Sequence, residues 1–109
     1  PTYFQVDKSS NRDSPPPDHY PYRVWWVPQI PMKEQFRVVT GSLDMAICLS
    51  VLFAMYDIFQ FENKIKPDFS NVGGIEYWDG TEWSEFDPDD VEEREAEMSE
   101  AGVLFPIQA

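Results

Sequence analysis

Three segments in the first 40 residues have the residue types and alternation of β-strands. They cover residues 2–7, 20–27 and 34–40, and a proline-rich loop at 8–18 separates the first two. In the second segment, Trp25 and Trp26 fall on opposite faces of the strand because successive side chains alternate. This alternation indicates that both faces of the sheet are at least partly covered. We therefore predict three strands before the first helix.

A long apolar segment follows and predicts a central helix over residues 43–59. Ser42 is a suitable N-cap, and Asp44 lies in the first turn, where a negative charge is favourable. Between residues 45 and 56 the only polar residue is Ser50, so apolar side chains cover nearly the whole circumference. A sheet buries one side of such a helix. The other side requires a second cover: the C-terminal segment 103–107, a second copy of the chain, or a target protein.

The same segment is too short to predict a membrane span. Its 12 residues, of which Ser50 alone is polar, are bracketed by Asp44 and Asp57, whereas a span needs roughly 18 or more apolar residues. We therefore expect a buried helix and no membrane insertion. The chain also begins without a basic stretch leading into an apolar run, so it shows no secretory signal. A free thiol at Cys48 is typical of a reducing compartment, and together these features favour the cytoplasm.

The last third of the chain predicts a hairpin followed by an acidic helix. Two alternating aromatic runs, at 75–78 and 81–86, flank Asp79-Gly80, which predicts a two-residue turn. Asp87 is then the expected N-cap and Pro88 the first helical residue, and Gly102 is expected to end the helix. The predicted order is β-β-β-α-β-β-α, an α+β fold with a mostly antiparallel sheet packed on one strongly apolar helix.

Charge is distributed unevenly over the 109 residues. Residues 1–75 contain eight acids and seven bases, whereas residues 76–109 contain twelve acids and Arg94 as the only base. We divide the chain into a near-neutral α+β core domain at 1–86 and an acidic helix with an apolar end at 87–109. A net charge of −12 argues against direct nucleic-acid binding, which needs clustered Lys and Arg. The acidic third is either a solubilising tail or attracts a basic partner surface.

The chain lacks the residues for most catalytic sites. His19 is the only imidazole and lies in the proline-rich loop, and Cys48 is the only thiol and lies within the helix. Nucleophilic catalysis needs a base beside the nucleophile. The acids at 87, 89 and 90 are interrupted by Pro88 and lack the glycine of a calcium loop. We therefore predict no enzyme, no cofactor and no metal site.

Two strings of residues resemble a known family. Trp-Trp-Val-Pro-Gln, within residues 22–32, and Gln-Phe-Glu-Asn, within residues 56–63, are similar to small tailed-phage proteins labelled superinfection exclusion proteins. Lys66-Pro67-Asp68 and the segment 73–76 extend the resemblance, which spans roughly residues 20–85. It implies a phage or prophage accessory protein that helps an infected cell resist or outcompete other genetic elements. The label covers either a block at entry or inhibition of a cytoplasmic defence complex, and it carries over no catalytic residues.

These observations give one leading hypothesis and two alternatives. The leading one is a non-enzymatic protein of the host cytoplasm, a monomer or homodimer, that binds and inhibits a host or competing-phage protein. A basic surface on that partner is one expected point of contact. The first alternative is an acidic DNA mimic of the anti-CRISPR or anti-restriction type. The second is a virion structural or assembly protein, whose apolar helix is covered by oligomerisation. The candidate partner-binding residues are Trp25, Trp26, Trp78, Glu92, Glu93, Glu95 and Glu97.

Overall fold

A five-stranded antiparallel sheet and two helices make up the computed structural model, which describes residues 4–68 and 70–103. The sheet order is β1-β3-β2-β4-β5. The elements are β1 (Phe4–Val6), β2 (Tyr22–Val27), β3 (Phe36–Thr40), α1 (Leu43–Glu62), β4 (Val72–Trp78), β5 (Trp83–Glu85) and α2 (Pro88–Glu100). The predicted fold class and element order are confirmed.

The helix ends follow the predicted capping chemistry. The Ser42 hydroxyl accepts a hydrogen bond from the Met45 amide at 3.1 Å, and the Asp87 carboxylate accepts one from the Asp89 amide at 2.9 Å. Gly102 adopts a φ of 74° just after α2, the left-handed conformation that commonly ends a helix. Helix α1 runs three residues beyond the predicted end at Phe59, to Glu62.

The predicted two-residue turn between β4 and β5 is wrong. Trp78 pairs with Trp83, so the four residues 79–82 connect the strands. The Asp79 carboxylate accepts hydrogen bonds from the amides of Thr81 and Glu82, both at 2.8 Å. An aspartate side chain that accepts from the backbone amide two residues ahead forms a turn of its own. The connection between β4 and β5 therefore has four residues, two more than the Asp-Gly pattern predicts.

The remaining differences from prediction concern strand boundaries. Strand β2 begins at Tyr22 rather than at residue 20, and β3 begins at Phe36 rather than at 34. Strand β1 spans Phe4–Val6 within the predicted 2–7, whose first two residues lie outside the described part of the chain.

One face of the sheet packs against both helices to form the core. The fully buried cluster consists of Val24, Ala46, Ile47, Ile75 and Met98. Met98 comes from α2 and is 1% exposed, so the acidic helix contributes to the same core as the sheet. The division of the chain after residue 86 stays a prediction, but α2 is packed on the core rather than extended into solvent.

The other face of the sheet is partly covered by the N-terminal loop. Trp25 and Trp26 predicted a cover on this face but not which segment supplies it. Arg23 is 1% exposed there, and its Nε donates to Glu76 Oε1 at 2.8 Å. Its Nη1 donates to the carbonyl of Arg12 at 2.7 Å, and its guanidinium lies 4.1 Å from the centre of the Trp83 ring. The loop therefore supplies a backbone acceptor to a buried cation, which would otherwise be costly to bury.

The C-terminus of α1 generates a prediction about stability. Lys64 has a φ of 62°, and the amides of Lys64 and Ile65 close the helix by donating to the carbonyls of Phe61 and Gln60. A side chain is strained in this left-handed region, whereas glycine is not. Lys64→Gly should raise the free energy of unfolding by about 0.5–1 kcal/mol in urea denaturation. Lys33→Gly, in a loop with ordinary φ, is the control and should not stabilise the protein.

Candidate functional site

An exposed apolar strip runs along the side of α1 that faces away from the sheet. We call it the α1 outer face, and it consists of Leu52, Tyr56 and Phe59. Leu52 and Tyr56 are each 59% exposed and Phe59 is 55% exposed. At 1.5 Å per residue, the strip from Leu52 to Phe59 is about 10 Å long. Large apolar side chains that are exposed together on one side of a helix are typical of a surface that binds another molecule.

The exposure of this strip means that the described chain does not itself supply the second cover that the sequence predicts for α1, so that cover stays a prediction. Ala46, Ile47 and Asp57 on the inner side are buried, but the outer face has no cover among residues 4–68 and 70–103. The C-terminal segment 103–107 was one predicted cover for this side of α1. Of that segment the structure describes only Val103, which is exposed, and residues 104–107 lie outside the described chain. By length and composition alone, α1 is also long and apolar enough to cross a membrane.

The inner side of α1 carries a buried carboxylate with several donors around it. Asp57 is 2% exposed. Its Oδ2 accepts from Trp26 Nε1 at 3.0 Å and from Asn71 Nδ2 at 2.9 Å, and it lies 3.2 Å from Lys66 Nζ. The Lys66 ammonium also donates to the carbonyl of Pro28. We call these five residues the Asp57 cluster. Burial of the charge is tolerated here because the carboxylate is paired and hydrogen-bonded.

The segments that carry the family resemblance converge on this cluster. Trp26 and Pro28 belong to the first segment, Asp57 to the second and Lys66 to the third. Beside them, Gln29 Nε2 donates to Asp68 Oδ1 at 2.8 Å. Side chains of these three segments therefore connect the end of β2 to the end of α1 and to the loop that follows α1.

The three candidate tryptophans lie in different environments. Trp26 is bonded to Asp57 on the helix side of the sheet, and Trp25 lies on the opposite side beside Gly74. Trp78 packs edge-to-face on Trp83, with ring centres 5.5 Å apart. All three are half-buried, and they do not form one surface. Their predicted role in partner binding stays a prediction.

The four candidate glutamates of α2 are also divided between different sides of the helix. Arg94 makes a bidentate pair with Asp44, with both N–O distances at 2.9 Å, and lies 3.6 Å from Glu97. The hydrogen bonds from Arg94 hold the pKa of Asp44 below its usual value. Glu92 and Glu95 line a groove on another side of α2, and Glu93 is exposed. The acidic helix therefore does not present all four charges on one face.

The groove that Glu92 and Glu95 line has a volume of about 670 Å³. It lies between α1, α2 and the edge of β4, and Glu85 at the end of β5 forms part of its rim. Burial, together with the negative charge of Glu76, raises the pKa of Glu85. We call this feature the β4-edge groove. No group of three or more His, Cys, Asp or Glu in the described residues is arranged to hold a metal ion.

Sequence reasoning missed two of the buried charges, Asp57 and Arg23. In the sequence, Asp57 stands only as a polar residue that ends the apolar stretch. One signal was available, since Asp57 follows Ala46 by 11 residues, which is about three helical turns and places both on the same side of α1. Arg23 gave no such signal, because its buried position depends on a loop whose course the pattern of residues does not predict.

Comparison with known proteins places the chain in a phage protein family. The sequence model described as superinfection exclusion gene product 17 matches residues 21–102. The chain belongs to this superinfection exclusion family, as the resemblance predicted. The superinfection exclusion protein of Salmonella phage P22 is 44% identical over 57 residues, which are 52% of this chain and 54% of the phage P22 protein. The chain thus spans about half the length of that relative. No solved structure matches.

The Asp57 cluster generates a second prediction. Asp57→Ala should lower the free energy of unfolding by about 3–5 kcal/mol, because it leaves the Lys66 charge buried without its partner. Asp57→Asn should cost less, since it keeps an acceptor for the Trp26 N–H. Urea denaturation measures both variants. Asp68→Ala, which removes an exposed carboxylate from the same loop, should cost less than about 1 kcal/mol. Equal losses in Asp57→Ala and Asp68→Ala would contradict the assignment.

The raised pKa of Glu85 generates a third prediction. The folded protein binds a proton at Glu85 more readily than the unfolded chain does, so the ionised carboxylate destabilises the fold above the folded-state pKa. Glu85→Gln should therefore raise the melting temperature at neutral pH, and this gain should disappear as the pH falls to about 4, near the ordinary value. Thermal unfolding at both pH values measures the effect. Glu93→Gln, an exposed change of equal charge, should show no comparable gain.

Proposed function

We propose that this protein acts in superinfection exclusion inside the infected host cell by binding and inhibiting a host or competing-phage protein, without catalysis. Membership of the superinfection exclusion family and the printed name of the phage P22 relative support the biological role. One observation carries the mechanism: the α1 outer face is an exposed apolar strip on a helix whose opposite side is anchored to the sheet. The partner is a protein with an apolar groove that receives this helix face.

Charge favours a protein partner over the other two possible occupants of the strip. The chain has a net charge of −12, so a second copy and an anionic membrane surface are both repelled. Insertion of α1 into a bilayer would also require Asp57 to leave Trp26 and Lys66. A partner protein needs no such rearrangement, because the strip is already exposed.

The acidic mimic is the second candidate mechanism. It is supported by the composition of α2 and by the engagement of Arg94, the only base in that helix, with Asp44 and Glu97. Its weakness is the division of the glutamates between sides of α2, since a mimic of a phosphate backbone needs its carboxylates along one surface. A role in virion assembly predicts that the strip is covered by oligomerisation.

Exclusion by the intact protein tests the proposal. Host cells that express Leu52→Gln together with Phe59→Gln should lose at least about tenfold in exclusion, measured as the plating efficiency of challenging phages, because apolar residues at the centre of an interface carry most of its energy. Both side chains are more than half exposed, so the fold and its melting temperature should be retained. Phe4→Gln, at an equally exposed apolar residue in β1, is the matched control and should exclude as well as the parent.

A second variant separates the alternatives. Glu92, Glu93, Glu95 and Glu97 are all changed to Gln, which removes four charges and keeps residues that favour helix. Retained exclusion in this variant supports binding through the α1 outer face. Loss in this variant, with the Leu52 and Phe59 variant unaffected, would contradict the proposal and favour the acidic mimic. Light scattering that shows a dimer disrupted by Leu52→Gln would instead indicate that the strip binds a second copy.

A further inference from the structure

Strand β4 extends beyond its neighbour and leaves part of the sheet edge open. Residues 76–78 of β4 pair with β5, whereas Val72, Gly73 and Gly74 have no strand on that side among the described residues. The carbonyl of Ile75 accepts from the Phe86 amide at 2.8 Å on the β5 side. Alternate residues of an antiparallel strand direct their backbone groups to the same side. The N–H and C=O of Gly73 therefore point out of the sheet edge.

This open edge forms one side of the β4-edge groove. Gly73 is exposed, and neither it nor Gly74 has a side chain to obstruct the approach of another backbone. Val51 and Ala54 of α1 and Val91 of α2 provide apolar walls. At about 670 Å³, the groove is in the size range of sites that hold small ligands or a few residues of a peptide.

The charges around the groove are of one sign. Glu85, Glu92 and Glu95 line it, and no Lys or Arg among the described residues does. A cation beside Glu85 would stabilise the ionised form of that side chain, which burial in the free protein disfavours. Charge complementarity therefore selects an occupant with basic side chains.

We infer that the β4-edge groove binds an extended peptide segment with alternating basic and apolar side chains, which adds as a strand to the edge at Gly73. In this mode the main chain of the peptide bonds to Gly73, and its basic side chains face Glu92 and Glu95. A second copy of this chain is disfavoured by its net charge of −12, and the terminal residues 103–109 contain no base. The inference is independent of the α1 outer face, because the groove uses other residues of α1.

The test is a titration of the full-length protein with a short peptide of alternating lysine and valine, followed by NMR. The Gly73 amide signal should shift on binding, and its exchange with solvent should slow. The affinity should fall steeply as salt is added, because the charges at the groove are partly exposed. Glu92→Gln with Glu95→Gln should weaken binding about fivefold or more at low salt. Glu93→Gln with Glu97→Gln removes the same charge from the same helix and should leave binding unchanged.

Three results would overturn the inference. The first is equal weakening by both double variants, which would show attraction by overall charge alone. The second is a Gly73 amide that is already protected from exchange in the free protein, which would show that the edge is covered. The third is undiminished binding of a peptide whose backbone amides are N-methylated, which would rule out strand addition. None of these results depends on an exclusion assay, so failure here is distinguishable from failure of the proposed function.

Discussion

The hydrogen bond and ion pair that Asp57 makes with Trp26 and Lys66 position much of the molecule. They fix the second half of α1 against β2, and they hold the loop after α1 close to Pro28. Because the inner side of the helix is anchored in this way, the apolar residues of the outer side remain exposed to solvent. A buried charge that loses its partners is costly, so α1 has little freedom to rotate and bury that strip. The contacts of Asp57 thus both anchor the inner side of α1 and keep its outer side exposed.

The part of the fold that depends on local chemistry could be predicted from the sequence. Ser42 and Asp87 cap the helices because their side chains reach the amides of the first turn. The alternation in β2 correctly placed Trp25 and Trp26 on opposite faces. The turn after Trp78 was mispredicted for the same local reason, since Asp79 has two competing ways to bond the backbone and the sequence does not say which one prevails.

The candidate site could be predicted only in part, because it depends on contacts between distant segments. The composition of α1 indicated that the helix needs a second cover. Only the position of the sheet shows which of its residues face outward. Likewise, the glutamates of α2 could be chosen as candidates by charge. Glu97 lies on the side of α2 near Asp44, and Glu92 and Glu95 lie on the side along β4. This separation depends on the rotation of α2 that buries Met98 in the core.

The paired glycines of β4 have an evolutionary consequence. A side chain at Gly73 would collide with the Trp26 ring, and one at Gly74 would meet Glu85 and Trp25. Substitution at Gly73 therefore disturbs Trp26, the tryptophan that bonds Asp57, and substitution at Gly74 disturbs Trp25 and Glu85, so this stretch of backbone is constrained by the side chains around it. Among the described residues, no comparable contacts restrict substitution of Glu92 and Glu95 in α2. Under the inferred binding mode, a change of peptide specificity would arise in the helix beside the strand, while the strand itself keeps its two glycines.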